Sequence, residues 1–177
     1  MNITAGIYKG RKVIAPDDNI TRPTLSKIRE SIFNVLFSMI DFEGKFFLDM
    51  FAGSGIMGLE ALSRGFLRTV AIEKNPKVAR TLKDNYTNLD ITPDILIGDS
   101  IKLLPRITRK FDVIYLDPPY FSGIYEDSLR TIKESDILNP DSIIILEHVN
   151  EVDWEALGYK LIKQKTYSQK FITFLSA

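Results

Sequence analysis

The stretch Phe46-Phe47-Leu48-Asp49-Met50-Phe51-Ala52-Gly53-Ser54-Gly55-Ile56-Met57-Gly58 decides the fold. Its first part is a short, nearly continuous apolar run, which suits a strand buried on both faces of a sheet. Gly53, Gly55 and Gly58 then spell Gly-x-Gly-x-x-Gly. That spacing lets the backbone turn tightly and brings its N–H groups close to a ligand at a helix N-terminus. A strand, a glycine turn and a helix in succession open a βαβ unit.

Downstream, strand patterns over 46–51, 69–73, 94–97, 111–116 and 142–147 alternate with helical patterns near 56–65, 76–88, 100–106 and 124–134. Short apolar strands separated by helices predict a parallel sheet covered on both faces. The last two segments, 159–165 and 171–175, are close enough to form an antiparallel hairpin that finishes the sheet. Upstream, residues 3–5 and 13–15 read as a short hairpin turning at Lys9-Gly10 and ended by Pro16. Leu25, Ile28, Ile32, Leu36 and Met39 recur at helical spacing, with Pro23 and Thr24 suited to the start of that helix. The expected fold is α/β, with a small N-terminal hairpin and helix in front of the sheet.

At 177 residues, 45% hydrophobic and 26% charged, the chain suits one globular domain without linker or repeat. No apolar run approaches the roughly 18 residues of a membrane span, and the first residues lack the basic-then-apolar order of a secretory signal. A soluble cytoplasmic protein without membrane contact is expected, with a monomer as the default. The chain has no cysteine, which excludes disulfides, zinc–thiolate and iron–sulfur ligation and cysteine nucleophiles. The net charge is zero but uneven: residues 1–31 carry +3, residues 159–177 carry +4 and the middle carries −7. Basic ends on an acidic body suit a polyanion held by the ends, although basic residues on edge strands also simply keep edges soluble.

The glycine turn alone serves a dinucleotide as well as other nucleoside cofactors. Asp49, four residues before Gly53, separates the readings. Its charge would repel a pyrophosphate and attract the ammonium group of a methionine moiety. Glu73, closing the second strand, can accept both ribose hydroxyls, and Asp99, after the third, can accept from an adenine amino group. After the fourth strand comes Asp117-Pro118-Pro119-Tyr120, at the sheet edge where open α/β folds bind ligands. Two prolines hold the chain extended and donate no hydrogen bond. Their turn leaves carbonyls free beside the Asp117 carboxylate, an acceptor set that can take both N–H groups of an exocyclic amine and so aim its lone pair. Tyr120 offers a face for a stacked base. A plain strand-ending turn is the bland alternative. The missing cysteine bears on the reaction too, because methylating carbon 5 of a pyrimidine generally needs a cysteine nucleophile, whereas amine methylation does not.

With these residues assembled, the chain resembles the RsmD family over nearly its whole length. The resemblance runs through Gly6-Ile7-Tyr8-Lys9-Gly10-Arg11-Lys12, Arg22-Pro23-Thr24, Lys27-Ile28-Arg29-Glu30-Ser31-Ile32-Phe33-Asn34, Leu48 to Gly55, Glu60 to Gly65, Glu73-Lys74-Asn75 and Asp117 to Tyr120. It implies a class I, Rossmann-like methyltransferase fold with a seven-stranded sheet, using S-adenosylmethionine without a metal. The implied reaction methylates N2 of a guanine, position 966, in 16S ribosomal RNA of the small subunit or its assembly intermediate. Asp49, Phe51, Gly53, Ser54, Gly55, Gly58, Glu73, Lys74, Asp99 and Ser100 would then serve the cofactor. Asp117, Pro118 and Tyr120 would form the catalytic set. Arg22, Thr24, Arg29 and Asn34, together with Tyr120, would meet RNA, with residues 1–40 as the RNA-contacting extension. Ser26 stands where the family commonly has Asp, and Tyr167-Ser168-Gln169 departs from its usual turn.

Two residues invite function but read as structure: His148, the only histidine, beside Glu147 at a strand end, and Trp154. Three other activities share parts of the pattern. A DNA adenine-N6 methyltransferase would use the same Asp-Pro-Pro-Tyr box but lacks room here for a separate recognition domain. A nicotinamide-dependent oxidoreductase would use the glycine turn and leave the box unexplained. A non-catalytic RNA-binding module would keep only the fold.

Overall fold

The structure is a computed structural model that describes residues 1–16, 25–119 and 123–177. In chain order the elements are α1 (Ser26–Phe37), β1 (Phe46–Asp49), α2 (Ile56–Ser63), β2 (Arg68–Glu73), α3 (Pro76–Thr87), β3 (Ile95–Ile97), α4 (Ser100–Leu103), β4 (Phe111–Leu116), α5 (Ile124–Glu134), β5 (Leu138–His148), β6 (Lys160–Tyr167) and β7 (Lys170–Ser176). They build one seven-stranded sheet in the order β3-β2-β1-β4-β5-β7-β6. The first five strands pair in parallel, and β7 is antiparallel to both β5 and β6. The sheet is thus mostly parallel with a C-terminal antiparallel hairpin, as the sequence predicts.

Alternation along the strands divides the core into two layers. Phe47, Val113, Tyr115, Ile143, Ile145, Ile172 and Phe174 face Ile28, Ile32, Phe33 and Leu36 of α1 and Leu59 of α2. Leu48, Val70, Ile114, Ile144 and Leu175 face Leu129 and Ile132 of α5 on the other side. A strand covered on both faces favours apolar residues, and β4 is buried along its whole length, its one charged residue, Asp112, accepting from Phe46 N at 2.8 Å and Asn139 Nδ2 at 3.0 Å.

The apolar stripe of α1 is buried at Ile28, Ile32 and Leu36, while Leu25 is exposed and Met39 packs beyond the helix end. The expected helix start at Pro23 and Thr24 lies outside the described residues. α3 begins where expected: Pro76 takes the first turn and the Asn75 side chain accepts from Lys77 N at 2.9 Å. The 100–106 helix becomes α4 plus a 3-10 turn over Leu104–Arg106, because Pro105 cannot donate to continue an α-helix. The N-terminal hairpin is a single bridge, Asn2 to Lys12, extended by bonds from Ile3 N to Arg11 O and from Val13 N to Met1 O.

Glu60 fastens this N-terminal segment to the domain. It is fully buried on α2 and accepts from Thr4 N at 2.9 Å, Thr4 Oγ1 at 3.0 Å, Arg29 Nε at 3.2 Å and Arg64 Nη1. Arg29, itself 1% exposed, also donates to Asn2 O at 2.8 Å. Removing one partner of a buried ion pair leaves an uncompensated charge. Glu60→Ala is therefore expected to lose roughly 3–5 kcal/mol of stability, read as a lowered urea midpoint, and to expose the N-terminal segment to proteolysis first.

Candidate functional site

In the sheet order the chain leaves β1 towards β2 on one side and returns to β4 on the other, so the loops leaving the carboxyl ends of β1 and β4 diverge. A cavity of about 920 Å³ opens there. Asp49 closes β1 and pairs in register with Tyr115 of β4, and Asp117 follows two residues later on the same face. Asp49, Phe51, Gly53, Ser54, Glu73, Lys74, Asp99, Ser100, Asp117 and Pro118 all line the cavity.

Asp49 is the least satisfied group in its wall. It is 1% exposed, and its Oδ1 has no hydrogen-bond partner among the described residues. Burial pushes its pKa up to about 8, the Phe51 N–H opposes this, and the charges of Asp117 and Glu73 add to the rise. Glu73 is raised by burial as well, held back by the N–H groups of Asn75, Gly53 and Lys74. Its two oxygens accept from Gly53 N at 2.9 Å and Asn75 N at 2.7 Å, so it also sets the shape of the glycine turn. Each carboxylate oxygen can still accept another donor. At the rim, Asp99 pairs with Lys74 at 2.9 Å, and that hydrogen bond holds its carboxyl below the usual range. Such a set, three carboxylates around one cavity with a buried unsatisfied oxygen, fits a ligand that brings a cation at Asp49 and hydroxyl or amine donors at Glu73 and Asp99.

Two of the expected cofactor residues sit elsewhere. Gly55 and Gly58 do not line the cavity. A Cβ at Gly58 would stand 2.2 Å from Tyr86 Oη, and one at Gly55, where φ is 79°, would stand 2.8 Å from the Tyr86 ring. These glycines let α3 approach α2 rather than let backbone approach a ligand. Arg29, expected to meet RNA, is buried against Glu60 instead. Asn34 is exposed on α1. Arg22, Thr24 and Tyr120 lie outside the described residues.

Tyr115 and Asn85 also shape the site, without a motif in the sequence to mark them. Tyr115 lines the cavity and donates to the buried Glu147 at 2.8 Å, and Glu147 in turn holds Lys170. Burial and the neighbouring carboxylates push the Tyr115 hydroxyl well up, so it stays a donor. Strand parity with Asp117 is the signal that could have found it. Asn85 of α3, 2% exposed, clamps Ile14 through both its N–H and its carbonyl at 2.9 Å and donates to Ser54 O at 2.9 Å. It thereby joins the N-terminal segment to the glycine turn, a long-range contact with no local signature. His148 is outside the cavity, bonded to Asn150 O at 2.7 Å and Thr173 Oγ1 at 2.8 Å and stacked on Phe171. Trp154 packs against it.

Fold and cavity together define a class I methyltransferase architecture, with its ligand crevice at the β1–β4 divergence. The chain belongs to the RsmD family: the family model described as Conserved hypothetical protein 95 matches residues 1–176. YlbH of Bacillus subtilis, described as a candidate rRNA methyltransferase, is 37% identical over 171 residues, 93% of this chain and 92% of that protein. Ribosomal RNA small subunit methyltransferase D of Haemophilus influenzae is 32% identical over 174 residues, 94% of this chain and 88% of that protein. A solved Escherichia coli structure described as a candidate methyltransferase superposes with a TM-score of 0.84 at 25% identity, covering 99% of this chain and 96% of that one.

The raised pKa of Asp49 sets a pH dependence. Between the usual carboxylate range and about 8 the folded chain keeps a proton that the unfolded chain has released, so stability falls as pH rises through that window. An ammonium group at Asp49 favours the ionised form, so binding it expels this proton. Affinity for S-adenosylhomocysteine is expected to rise from pH 6 towards about 8 and to turn over as the ligand's amine deprotonates. Calorimetry in buffers of different ionisation enthalpy would show the released proton. Asp49→Asn is expected to bind more weakly, without this pH slope, while unfolding at a temperature no lower than the parent at pH 8.

Proposed function

We propose that this protein transfers a methyl group from S-adenosylmethionine to the N2 amine of a guanine in 16S ribosomal RNA, of the position 966 type. The observation that carries the reading is the pairing of two chemically different ends in one cavity: the buried, unsatisfied Asp49 on one side and Asp117-Pro118-Pro119 on the other. Family membership and relatives described as rRNA methyltransferases support RNA as the substrate.

The cofactor, when bound, supplies an electrophilic methyl carbon on a sulfonium. Asp49 would hold the methionine ammonium, with Gly53 and the rest of the glycine turn against the same end. Glu73 would accept the ribose hydroxyls and Asp99 the adenine amino group. On the substrate side, Asp117 and the carbonyl of Pro118 accept the two N–H groups of the guanine amine. Holding both donors keeps the nitrogen lone pair directed into the cavity, so the contribution is orientation and electrostatics. As the N–C bond forms, the methyl–sulfur bond breaks and S-adenosylhomocysteine leaves as a neutral thioether; the nitrogen then loses a proton, which the Asp117 carboxylate would take. Tyr120 would stack on the base, and Arg22, Thr24 and Asn34 would meet the flanking RNA. Nicotinamide chemistry would leave the Asp117-Pro118-Pro119 part of the cavity without a role, which disfavours it. The partner in this reading is the small ribosomal subunit or its assembly intermediate, met by a cytoplasmic monomer.

The test is labelled S-adenosylmethionine with unmodified small subunits, naked 16S RNA and duplex DNA in separate reactions, followed by identification of the modified nucleoside. N2-methylguanosine in RNA is expected; N6-methyladenine in DNA, or no label in RNA, would sink the reading. Asp117→Ala is expected to slow transfer by about 10²–10³-fold with little change in cofactor affinity. Glu73→Ala is expected to weaken cofactor binding by about tenfold or more, the scale of one lost charged hydrogen bond.

A further inference from the structure

The outer strand β6 carries Lys160, Lys163 and Lys165, and residues 159–177 contain no acid. Residues three apart on a regular strand point to opposite faces, so Lys160 and Lys163 should be split by the sheet. They are not, because the ladder with β7 shifts register between Leu161 and Lys163. Lys160 stands opposite Ser176, Lys163 opposite Phe174 and Lys165 opposite Ile172. Ile172 and Phe174 belong to the core layer under α1, so the bulge at Ile162 brings all three lysines onto that face.

The contact between Lys165 Nζ and Ser31 Oγ of α1, at 2.9 Å, places this face beside the flank of that helix. Tyr167 reaches the same hydroxyl. Lys27 lies one turn before Ser31, and Lys27 and Glu30 are both exposed, so α1 adds no net charge here and the basic character is that of β6. Among the described residues Lys160 and Lys163 are exposed, and no ion pair or hydrogen bond is recorded for their side chains. Charges that merely protect an edge strand work on either face and with either sign. Here they share one sign and one face, and a bulge in the ladder aligns them.

The register also fixes their distance from the reaction centre. Glu147 of β5 is opposite Ile172, which is opposite Lys165, and residue 117 continues the β4 row that pairs with β5. Three strand spacings, about 14 Å, therefore separate the Lys165 and Asp117 positions. That is a distance at which backbone phosphates a few nucleotides from a base held at Asp117 would lie.

We propose that Lys160, Lys163 and Lys165 form a phosphate track for the RNA strand flanking the target guanine, a second grip separate from the N-terminal segment. The inference rests on the RNA methyltransferase reading above. Lysines that neutralise phosphates release counterions, and on single strands each contributes about 0.7 to the slope of log affinity against log salt. The experiment is a salt series of 16S rRNA filter binding with the parent chain, the triple variant Lys160→Gln/Lys163→Gln/Lys165→Gln and the matching triple arginine variant. The glutamine variant is expected to lower the slope by about 2 and to raise KM for RNA, leaving kcat at saturating RNA and S-adenosylhomocysteine affinity unchanged. The arginine variant is expected to keep the parent slope. An unchanged slope in the glutamine variant, or a loss confined to kcat or cofactor affinity, overturns the track alone. A parent chain that binds no rRNA overturns the reading on which the track rests.

Discussion

The reversal of strand order at β1 is the constraint on which the site depends. Because β2 lies on one side of β1 and β4 on the other, the loops leaving the two central strands run apart and leave a crevice. The register across that divide then sets the chemistry. Asp49 pairs with Tyr115, and Asp117 comes two residues later, just past the end of β4. Two carboxylates are thus held on one face of the sheet, one buried and one half-buried at the rim. Without this frame the glycine turn and the proline turn would not line one cavity.

The protein treats two buried carboxylates in opposite ways. Glu60 is saturated by two arginines and by both the backbone and side chain of Thr4, which makes it a structural knot joining α1, α2 and the N-terminal segment. Asp49 is left with an unsatisfied oxygen near further negative charge. A buried polar group without a partner costs stability, and such a cost persists in a fold when a ligand offsets it. The same comparison explains why the arginines differ in use. Arg29 and Arg64 are consumed inside the knot, whereas the exposed cations include Lys9, Arg11 and Lys12 of the N-terminal segment and Lys160 and Lys163 of β6.

Most of the architecture is legible in the chain because the strands are short apolar runs separated by helical patterns, and α3 and α4 are also capped by the side chains of Asn75 and Asp99. The boundaries of β4 and α5 match their patterns to the residue. The misses have local causes. The strand expected over 142–147 starts earlier, since β5 runs from Leu138 through Pro140 by way of a register shift opposite Phe111 and Val113, the kind of irregularity in which a sheet tolerates proline. Pro105 divides a helix that the apolar spacing alone would continue. In the site, residues next to a motif were legible: Asp49, Glu73, Asp99 and Asp117 all reach the cavity wall. Asn85 and Tyr115 were not, since their partners Ile14 and Glu147 are distant in sequence. The burial of Arg29 is not legible in α1, because its partner Glu60 lies 31 residues away.

Gly58 ties the glycine motif to a residue outside it. Its missing side chain leaves space filled by the Tyr86 hydroxyl, which also bonds Thr69 on β2 at 3.2 Å. Positions 58, 69 and 86 therefore behave as one steric unit rather than as three independent sites. Among related chains an alanine at the position of Gly58 should accompany a smaller or differently turned side chain at that of Tyr86. The third glycine of the motif is then a record of its neighbour's bulk, and its variation would track helix packing rather than the ligand.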